Sequence, residues 1–236
     1  NQNKIIRLSD ASVNKKGVPE IQKDYLGASS VAPQVILYEG GSMSDIYVKH
    51  ELARDPNGNI AIDPASGNLS IKEVEPYKAG QLAPLYNIGW SNNVSYKGIS
   101  LGFTLAARVG GLVYSATQGI LDYNGVSKAS ADARDNNGVD INYGKVPAQK
   151  YYQAISTSQG GYGAYYLYSA TNVRLQELSL NYSLPKKWFN NKLNLSVGVV
   201  GRNLCMIYCK APFDPELTGS TTSNYYQGVD FFMQPS

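Results

Sequence analysis

The side chains that most enzymes use for catalysis are scarce in this sequence. His50 is the only histidine in 236 residues, which excludes a multi-histidine metal site and leaves a single candidate base for a Ser-His-Asp triad. The two cysteines, Cys205 and Cys209, are four residues apart, and we expect unpaired small residues instead of a redox pair. The sequence therefore predicts a protein that is not an enzyme.

A group of tyrosines lies beside glycines in the segment 160–168. Its members are Tyr162, Tyr165, Tyr166 and Tyr168. A tyrosine ring packs on apolar surfaces while its hydroxyl forms hydrogen bonds. We therefore predict that these tyrosines contact a ligand or a lid that covers it. Packing of the loop on itself is the alternative interpretation.

Two arginines, Arg108 and Arg174, lie where the chain enters and leaves the long segment 110–171. A guanidinium group pairs with carboxylates and other anions in a fixed geometry. Arg108 is therefore a candidate for contact with a polar ligand. An ion pair within the protein is the alternative for both arginines.

Two segments carry oxygen side chains at the alternating spacing of calcium loops. The first contains Asp55, Asn57, Asn59 and Asp63, and the second contains Asp132, Asp135, Asn137 and Asp140. Calcium is the one cofactor that these segments would suit. The alternatives are a hairpin turn for the first segment, because Asp and Asn favour turns, and a solvated loop for the second.

The composition excludes some partners and favours others. The net charge is +3, and no run of basic residues is longer than two, so the sequence lacks the footprint of a nucleic-acid-binding protein. It has no run of 18 apolar residues that would form a membrane-spanning helix, whereas barrel strands give only a weak alternating signal. Nineteen tyrosines against five phenylalanines suit surfaces with one apolar and one wet side.

The stretch 85–109 predicts a long β-hairpin with its turn at Lys97–Gly98. If Tyr96 faces Ile99, alternation sorts both strands into two faces. One face is apolar and comprises Tyr86, Ile88, Trp90, Asn92, Val94, Tyr96, Ile99, Leu101, Phe103, Leu105, Ala107 and Val109. The other face is small and polar. About ten residues per strand, rising roughly 3.3 Å each and tilted by about 40°, span roughly 25 Å, the height of the apolar band on an outer-membrane barrel.

Alternation and turn residues predict the other elements. We expect strands at Lys4–Leu8, 33–38, 45–52, 173–184 and from Leu193, a hairpin turn at Asn57–Gly58, a loop at 64–84, short helices at Leu112–Asp122 and Pro147–Ser156, and a turn at 185–192. A bulge near Gln176–Glu177 would bring Val173 and Leu175 into phase with the rest of their strand. Short turns alternating with one long loop are typical of a membrane barrel.

Short motifs follow one another in a fixed order through roughly residues 40–236. They are DIYVKHELARDPNGNIAID (45–63), N-x-G-x-x-N-x-x-x-Y-K-G-I-S-L (Asn87 to Leu101), Arg108-Val109-Gly110-Gly111, R-L-x-x-L-x-L-x-Y-x-L-P (Arg174 to Pro185), G-R-N-L (Gly201 to Leu204) and Asp214-Pro215-Glu216. The ordered set resembles the C-terminal barrel strands of SusC/RagA-type TonB-dependent outer-membrane transporters.

The resemblance implies an all-β fold. We expect an antiparallel transmembrane β-barrel segment of about eight strands, from a larger barrel of about 22 strands, with long extracellular loops. Residues 1–236 would be the C-terminal part of the receptor barrel, without its plug domain and earlier strands, and 110–171 would be a long outer loop. An open wall of eight strands would expose unpaired backbone groups to lipid, so we expect a fragment of a larger barrel.

The resemblance also implies a function and partners. The function would be active import of glycans or peptides across the outer membrane of a Gram-negative bacterium. The implied partners are the remainder of the barrel with its plug, TonB–ExbB–ExbD acting through that plug, a SusD-like surface lipoprotein, outer-membrane lipid, and an oligosaccharide or peptide cargo.

Two other functions fit the residues without the resemblance. A soluble, secreted β-sandwich that binds carbohydrate through its tyrosines would hold Trp90 and Phe103 in a dry core. A small structural or adhesive barrel would close within these 236 residues.

Overall fold

The structure is a computed structural model that describes residues 3–9, 12–14, 16–26, 30–142, 144–157, 160–161, 163–189, 192–216 and 229–230. The chain divides into two compact units. Unit 1 comprises Asn1–Ala83, Gly111–Ser169 and Glu216–Ser236, and unit 2 comprises Pro84–Gly110 and Ala170–Pro215.

Strands predominate in the described part of the chain. The strands are β1 (Ser12–Val13), β2 (Pro19–Tyr25), β3 (Gln34–Tyr38), β4 (Asp45–Leu52), β5 (Ile71–Gln81), β6 (Tyr86–Tyr96), β7 (Ile99–Val109), β8 (Leu112–Ser115), β9 (Val139–Ile141), β10 (Gly144–Val146), β11 (Ser156–Thr157), β12 (Gly160–Gly161), β13 (Leu167–Ser169), β14 (Asn172–Ser183), β15 (Ser196–Cys209) and β16 (Val229–Asp230). The helices are α1 (Ala116–Tyr123), α2 (Lys128–Asp135), α3 (Ala148–Ile155) and a 3₁₀ turn at Lys186–Phe189. Four of the described strands, β6, β7, β14 and β15, lie in unit 2, and the expected number of about eight barrel strands stays a prediction.

Unit 2 is one antiparallel sheet of four strands in the order β15-β14-β7-β6. β6 and β7 pair in the predicted register along their whole length, from Tyr86 opposite Val109 to Tyr96 opposite Ile99. Lys97 and Gly98 both have positive φ, 47° and 85°, as in the two-residue turns that match the twist of paired strands. A Cβ at Gly98 would lie 2.9 Å from the backbone carbonyl of Ser183, so this turn also needs glycine for space.

A bulge in β14 keeps its apolar side chains on one face of the sheet. The pairing with both neighbours passes from Leu175 to Glu177 and skips Gln176, which confirms the predicted bulge. The skipped residue changes the phase of the alternation. The face that continues the apolar row of β7 therefore receives Val173, Leu175, Leu178, Leu180 and Tyr182.

The last strand of unit 2 differs from its prediction. It begins at Ser196 instead of Leu193 and continues through the Gly201–Leu204 motif to Cys209. Asn203 has a φ of 50° and falls in the interval where the pairing with β14 shifts register. This irregularity lets the strand run on past a motif that, from sequence, indicated a strand end.

Unit 1 contains a five-stranded sheet in the order β1-β2-β3-β4-β5. β4 has the predicted bounds, and β3 starts one residue later than predicted. The predicted strand at Lys4–Leu8 is wrong, since Ile5 makes an isolated pair of backbone hydrogen bonds with Gly40 and Gly41 at 2.8 Å each.

The prediction of a loop over 64–84 is also wrong, because this segment contains β5. Its sequence does not show the alternation of a strand: four of its 11 residues are charged, seven are exposed, and Pro76 lies in the middle. The segment is a strand because its backbone pairs with β4, although its side chains do not alternate between apolar and polar. Pro76 lies where that pairing shifts register and at the edge of the sheet, positions where the missing backbone N–H of proline is tolerated.

Residues Gly111–Ser169, most of the predicted outer loop 110–171, belong to unit 1 and contain short strands and helices. Pro147–Ser156 was predicted as a helix and contains α3, whereas Leu112–Asp122 forms β8 before α1 begins. α2 contains Asp132 and Asp135, which were expected to lie in a solvated loop if they do not bind calcium. Serines cap two of these helices: the hydroxyl oxygens of Ser115 and Ser127 accept hydrogen bonds from the backbone N–H groups of Gln118 and Ser130, which stabilises a short polar helix.

The apolar core belongs to unit 1. Its buried members are Leu26, Ala32, Val35, Leu37, Ile46, Leu52, Leu69, Leu82, Tyr114, Ala116, Ile141, Val146, Ile155 and Tyr166. Within the described residues of unit 2, the buried hydrophobic side chains are Ala170 and Ala211. Unit 1 therefore has the interior of a water-soluble fold, whereas unit 2 is a sheet with little interior of its own.

Deletion of Gln176 tests the bulge. We expect the shortened strand to carry Val173 onto the polar face and Arg174 onto the apolar face, at a cost of about 2 kcal/mol or more for the displaced charge. Urea unfolding of the intact protein would measure this loss. The control Gln176→Ala keeps the bulge and should change the unfolding free energy by less than about 0.5 kcal/mol; equal effects of the two changes would contradict the assignment.

Candidate functional site

A cavity of about 190 Å³ opens in unit 1 where β4 ends. It is lined by Glu51, Leu52, Arg54, Ala164 and Tyr165. The cavity therefore combines one carboxylate, one guanidinium, one aromatic ring and a buried leucine. A ligand that carries a positive and a negative group could form charge-assisted hydrogen bonds with the carboxylate and the guanidinium of the cavity.

Local hydrogen bonds orient the charged side chains of the cavity. The hydroxyl of Tyr77 donates to Glu51 Oε1 at 2.6 Å, and Arg54 Nη1 donates to the carbonyl oxygen of Gly58 at 2.7 Å. The Gly58 carbonyl belongs to the turn that Asp55 builds, since Asp55 Oδ1 accepts from the backbone N–H groups of Asn57 and Asn59 at 2.8 and 2.9 Å. The predicted Asn57–Gly58 turn thus holds Arg54 at the cavity.

The turn that carries Tyr165 packs closely on β4. Gly163 has a φ of 52°, and a Cβ there would lie 2.7 Å from the carbonyl oxygen of His50, so only glycine allows this approach. Burial raises the pKa of the Tyr165 hydroxyl to about 12; Tyr151 and Glu51 raise it as well, while Arg54 lowers it. Tyr165 is therefore a neutral hydrogen-bonding group at physiological pH.

Tyr166 occupies the core, with 2% of its surface exposed. Its hydroxyl donates to Asp122 Oδ2 at 2.9 Å, and the Gln118 side chain donates to Asp122 Oδ1 at 2.8 Å. Burial raises the pKa of Tyr166 far above its usual value, and the charge of Asp122 raises it further. This side chain satisfies a buried carboxylate and presents no surface to a ligand, as the alternative of self-packing had suggested for the tyrosine group.

The other predicted contact residues have different surroundings. Tyr162 lies outside the described residues. Tyr168 is half-buried in β13 opposite Val113, and burial and the charge of Asp122 raise the pKa of its hydroxyl. Arg108 is half-buried at the end of β7 in unit 2, in register with Asn87 and Asn172. Of the three predicted tyrosines that the structure describes, Tyr165 is the one that lines the cavity.

Arg174 forms the ion pair that was its alternative interpretation. Its Nη2 lies 2.8 Å from Asp214 Oδ1, and 13% and 32% of the two side chains are exposed. The pair joins the start of β14 to the segment after β15. The ion pair explains why Arg174 and Asp214, which belong to separate sequence motifs, are charged residues at these positions.

The predicted calcium residues are engaged in other interactions or dispersed on the surface. Asp132 pairs with Lys128 at 2.6 Å within α2, Asp135 ends that helix, and Asn137 follows it with a φ of 59°. Asp55 and Asp63 accept hydrogen bonds within their own turns. Across the part of the chain that the structure describes, no three His, Cys, Asp or Glu side chains are arranged to hold a metal ion.

One catalytic motif in the sequence has no catalytic geometry. Residues Gly98 to Gly102 have the spacing G-x-S-x-G, which in hydrolases presents a serine at a sharp turn between a strand and a helix. Here Ser100 lies within β7, and its hydroxyl is 2.7 Å from that of Ser95 on the paired strand. Cys205 and Cys209 are unpaired, as expected.

The described helices are all too short or too polar to span a membrane.

The chain is similar to a TonB-dependent receptor and to solved structures of a peptide importer. No protein-family model matches it. It is 26% identical over 208 residues, 85% of its length, to the TonB-dependent receptor P3 of Formosa agariphila. The structure of the RagAB peptide transporter covers 81% of the chain with a TM-score of 0.52 and 19% identity, and that of the RagAB peptide importer in its open-open state covers 92% with a TM-score of 0.56 and 18% identity.

The resemblance to SusC/RagA-type TonB-dependent transporters is confirmed. So is the fold class, since the neighbours are barrel proteins of this type and the strands described here pair almost entirely antiparallel. The chain spans about a fifth of the length of the SusC/RagA-type relatives that it matches, 20% for the curated receptor and 21% and 23% for the two structures.

The pair Tyr166–Asp122 is open to a double-mutant test. We expect Tyr166→Phe and Asp122→Asn in the intact protein each to weaken the protection of amides in 112–169 against hydrogen exchange, with a coupling of about 1–3 kcal/mol, because the hydrogen bond joins a charged and a neutral group. Tyr86→Phe, on an exposed ring, is the control. Additive effects of the two changes would mean that the bond contributes nothing.

Proposed function

We propose that this chain forms part of the wall and outer region of a TonB-dependent importer in the outer membrane of a Gram-negative bacterium. The observation that carries the proposal is the apolar face of unit 2. It continues across paired strands, and it remains exposed although its side chains are large and hydrophobic.

The apolar face has the dimensions and the ends of a membrane-facing surface. Tyr86 and Tyr96 are the two ends of the apolar row of β6, which spans roughly 25 Å if the strands are tilted as in a barrel. Exposed fractions are 55% for Trp90, 52% for Leu180 and 74% for Val199. Apolar patches of this size mark interaction sites, and lipid tails are the partner that suits a row bounded by tyrosines.

The opposite face suits a wet interior. Ser91 and Thr104 are joined by a hydrogen bond of 3.0 Å, and Ser95 and Ser100 by one of 2.7 Å. Glycines occupy other positions of this face, where Gly102 lies against the Ser179 hydroxyl. Small polar side chains that satisfy one another are typical of the lumen of a barrel.

The remainder of the barrel is the first partner that we infer. β6 and β15 are the edge strands of the four-stranded sheet. In a bilayer an edge would expose unpaired N–H and C=O groups at a cost of several kcal/mol each. We therefore infer that other strands of the same receptor cover both edges, and that its plug domain and the TonB–ExbB–ExbD complex lie beyond this chain.

Connectivity gives unit 2 an outer and an inner end. The turn at Lys97–Gly98 and the connection 184–195 are at one end of the sheet. The long connection between β7 and β14 leaves from the other end of the sheet. Short turns lie on the periplasmic side of outer-membrane barrels and long connections on the outside. The long connection after β7 would therefore be extracellular, where a SusD-like lipoprotein could cover it.

We propose peptides ahead of glycans as cargo. The cavity at the end of β4 presents Glu51 and Arg54 beside the Tyr165 ring. A peptide supplies ammonium, amide and carboxylate groups for both charges, whereas a neutral oligosaccharide supplies hydroxyls alone. The two RagAB structures among the neighbours are described as those of a peptide transporter and a peptide importer, which supports the same choice.

The alternative of a soluble carbohydrate-binding sandwich required Trp90 in a dry core. Trp90 is instead 55% exposed and meets Phe103 edge-to-face on the open apolar face, with 5.3 Å between ring centroids. A small barrel closed within this chain would need β6 and β15 to pair with each other, and they are opposite edges of their sheet.

Arginine substitutions on opposite faces of β7 test the membrane proposal. Phe103→Arg would put a charge at mid-height among lipid tails, at a cost of about 2–4 kcal/mol, whereas Thr104→Arg would face the lumen. We expect the first change to reduce the amount of folded, heat-modifiable receptor in outer membranes and the second to be tolerated. Equal tolerance, or recovery of the intact receptor from the aqueous phase without detergent, would refute a lipid-facing role.

Charge removal at the cavity tests the cargo. We expect Glu51→Gln and Arg54→Gln each to lower the uptake of labelled peptides about tenfold or more, since a charge-assisted hydrogen bond contributes about 1.5–3 kcal/mol. Asp140→Asn and Lys4→Gln remove exposed charges of the same signs elsewhere in unit 1 and serve as matched controls. Undiminished peptide uptake, or uptake of oligosaccharides alone, would refute the peptide assignment.

A further inference from the structure

Charge is divided unevenly between the two units. Unit 2 has eight lysines and arginines but two acidic residues, Glu177 and Asp214, whereas unit 1 has thirteen basic and sixteen acidic residues. The chain's small net charge therefore conceals a strongly basic sheet. Both acids of unit 2 are used, Asp214 by Arg174 at 2.8 Å and Glu177 by Arg202 at 3.2 Å.

Four lysines without acidic neighbours in the sequence gather at one end of the sheet, which we call the lysine end. It comprises Lys97, Lys186, Lys187 and Lys192, all exposed. The two connections that carry these lysines adjoin each other, since Ser183 donates its backbone N–H to the Gly98 carbonyl at 2.7 Å. Segments 84–107 and 178–213 contain no aspartate or glutamate, so no carboxylate from these strands or turns neutralises the group.

Exposed aromatic rings lie beside the lysines of the lysine end. Tyr96 and Trp188 are each 68% exposed, and Tyr182 is 39% exposed. Lys97 Nζ lies 5.1 Å from the centre of the Tyr96 ring, so the ammonium group sits at the boundary where the apolar row stops. Rings and long cationic side chains in this order are typical of the level of lipid headgroups.

We propose that the lysine end binds the phosphate of anionic phospholipids in the periplasmic leaflet. This inference rests on the proposed function, because it requires the apolar face to lie in a bilayer. Four ammonium groups supply donors for phosphate oxygens, and the adjoining apolar row accepts the acyl chains of the same lipid. A soluble acidic partner would satisfy the charges but would leave those apolar side chains exposed. Each lysine near an anionic surface strengthens binding about fivefold at low salt.

Quenching of Trp188 by brominated lipids provides a local measurement. The intact receptor would be reconstituted in phosphatidylcholine with a small fraction of brominated phosphatidylglycerol or brominated phosphatidylcholine. Subtracting the emission of the Trp188→Phe receptor isolates the signal from this ring. We expect phosphatidylglycerol to bind beside Trp188 severalfold more strongly than phosphatidylcholine, and the preference to decrease as salt is added.

Substitution of the lysines then tests their role. The quadruple change Lys97→Gln, Lys186→Gln, Lys187→Gln and Lys192→Gln should reduce the preference to about one, whereas the same four changes to Arg should keep it. A control with the same loss of charge, Lys4→Gln, Lys72→Gln, Lys128→Gln and Lys210→Gln, should keep it as well. Gel mobility before and after heating would verify that each receptor is folded.

The outcomes separate the two proposals. Equal quenching by both lipids in the unsubstituted receptor, or a preference that survives the quadruple Gln change, would overturn the lipid site while leaving the barrel intact. Absence of quenching by either lipid would mean that the turn end is outside the bilayer, and the proposed function would fail with it.

Discussion

Alternation of side chains along paired strands is the constraint on which unit 2 depends. Because neighbours in register share a face, a single slipped residue would exchange the apolar and polar rows of a whole strand. The register of β6 with β7 and the skipped Gln176 in β14 together keep one face apolar. The lipid-facing surface that we propose is thus a property of the pairing and not of any one strand.

The two units differ in how they remove large apolar side chains from water. Unit 1 buries its large side chains against each other, with Tyr114 and Ile46 both at 0% exposure. Unit 2 leaves comparable side chains open, with Leu180 and Val199 more than half exposed. Burial of apolar area is the main favourable contribution to folding, so a sheet of this kind needs a partner that supplies it. The bilayer and the further strands that we propose would meet that need.

Polar side chains that suggest ligand contacts are largely taken by internal bonds. Asp122 is 4% exposed and accepts from both Tyr166 and Gln118, as a buried carboxylate must if it is not to lose its hydration without compensation. Arg174 is held by Asp214, and Asp55 by its own turn. Glu51 and Arg54 also form internal hydrogen bonds, to Tyr77 and Gly58, but together with Tyr165 they line an open cavity, which is why the candidate site is smaller than the list of plausible residues.

The sequence by itself determined the elements whose signal is local. Period-two alternation and the Lys97–Gly98 turn predicted the β6–β7 register, and a break in phase predicted the bulge at Gln176, because both depend on neighbours along the chain. The tertiary structure alone decided β5, whose largely exposed residues and Pro76 form a strand only by pairing with β4. It also decided that Tyr166 is buried while Tyr165 lines a cavity. The sequence does not distinguish two adjacent tyrosines, because their neighbours, such as Asp122 and Glu51, are distant along the chain and come into contact with them only when the chain folds.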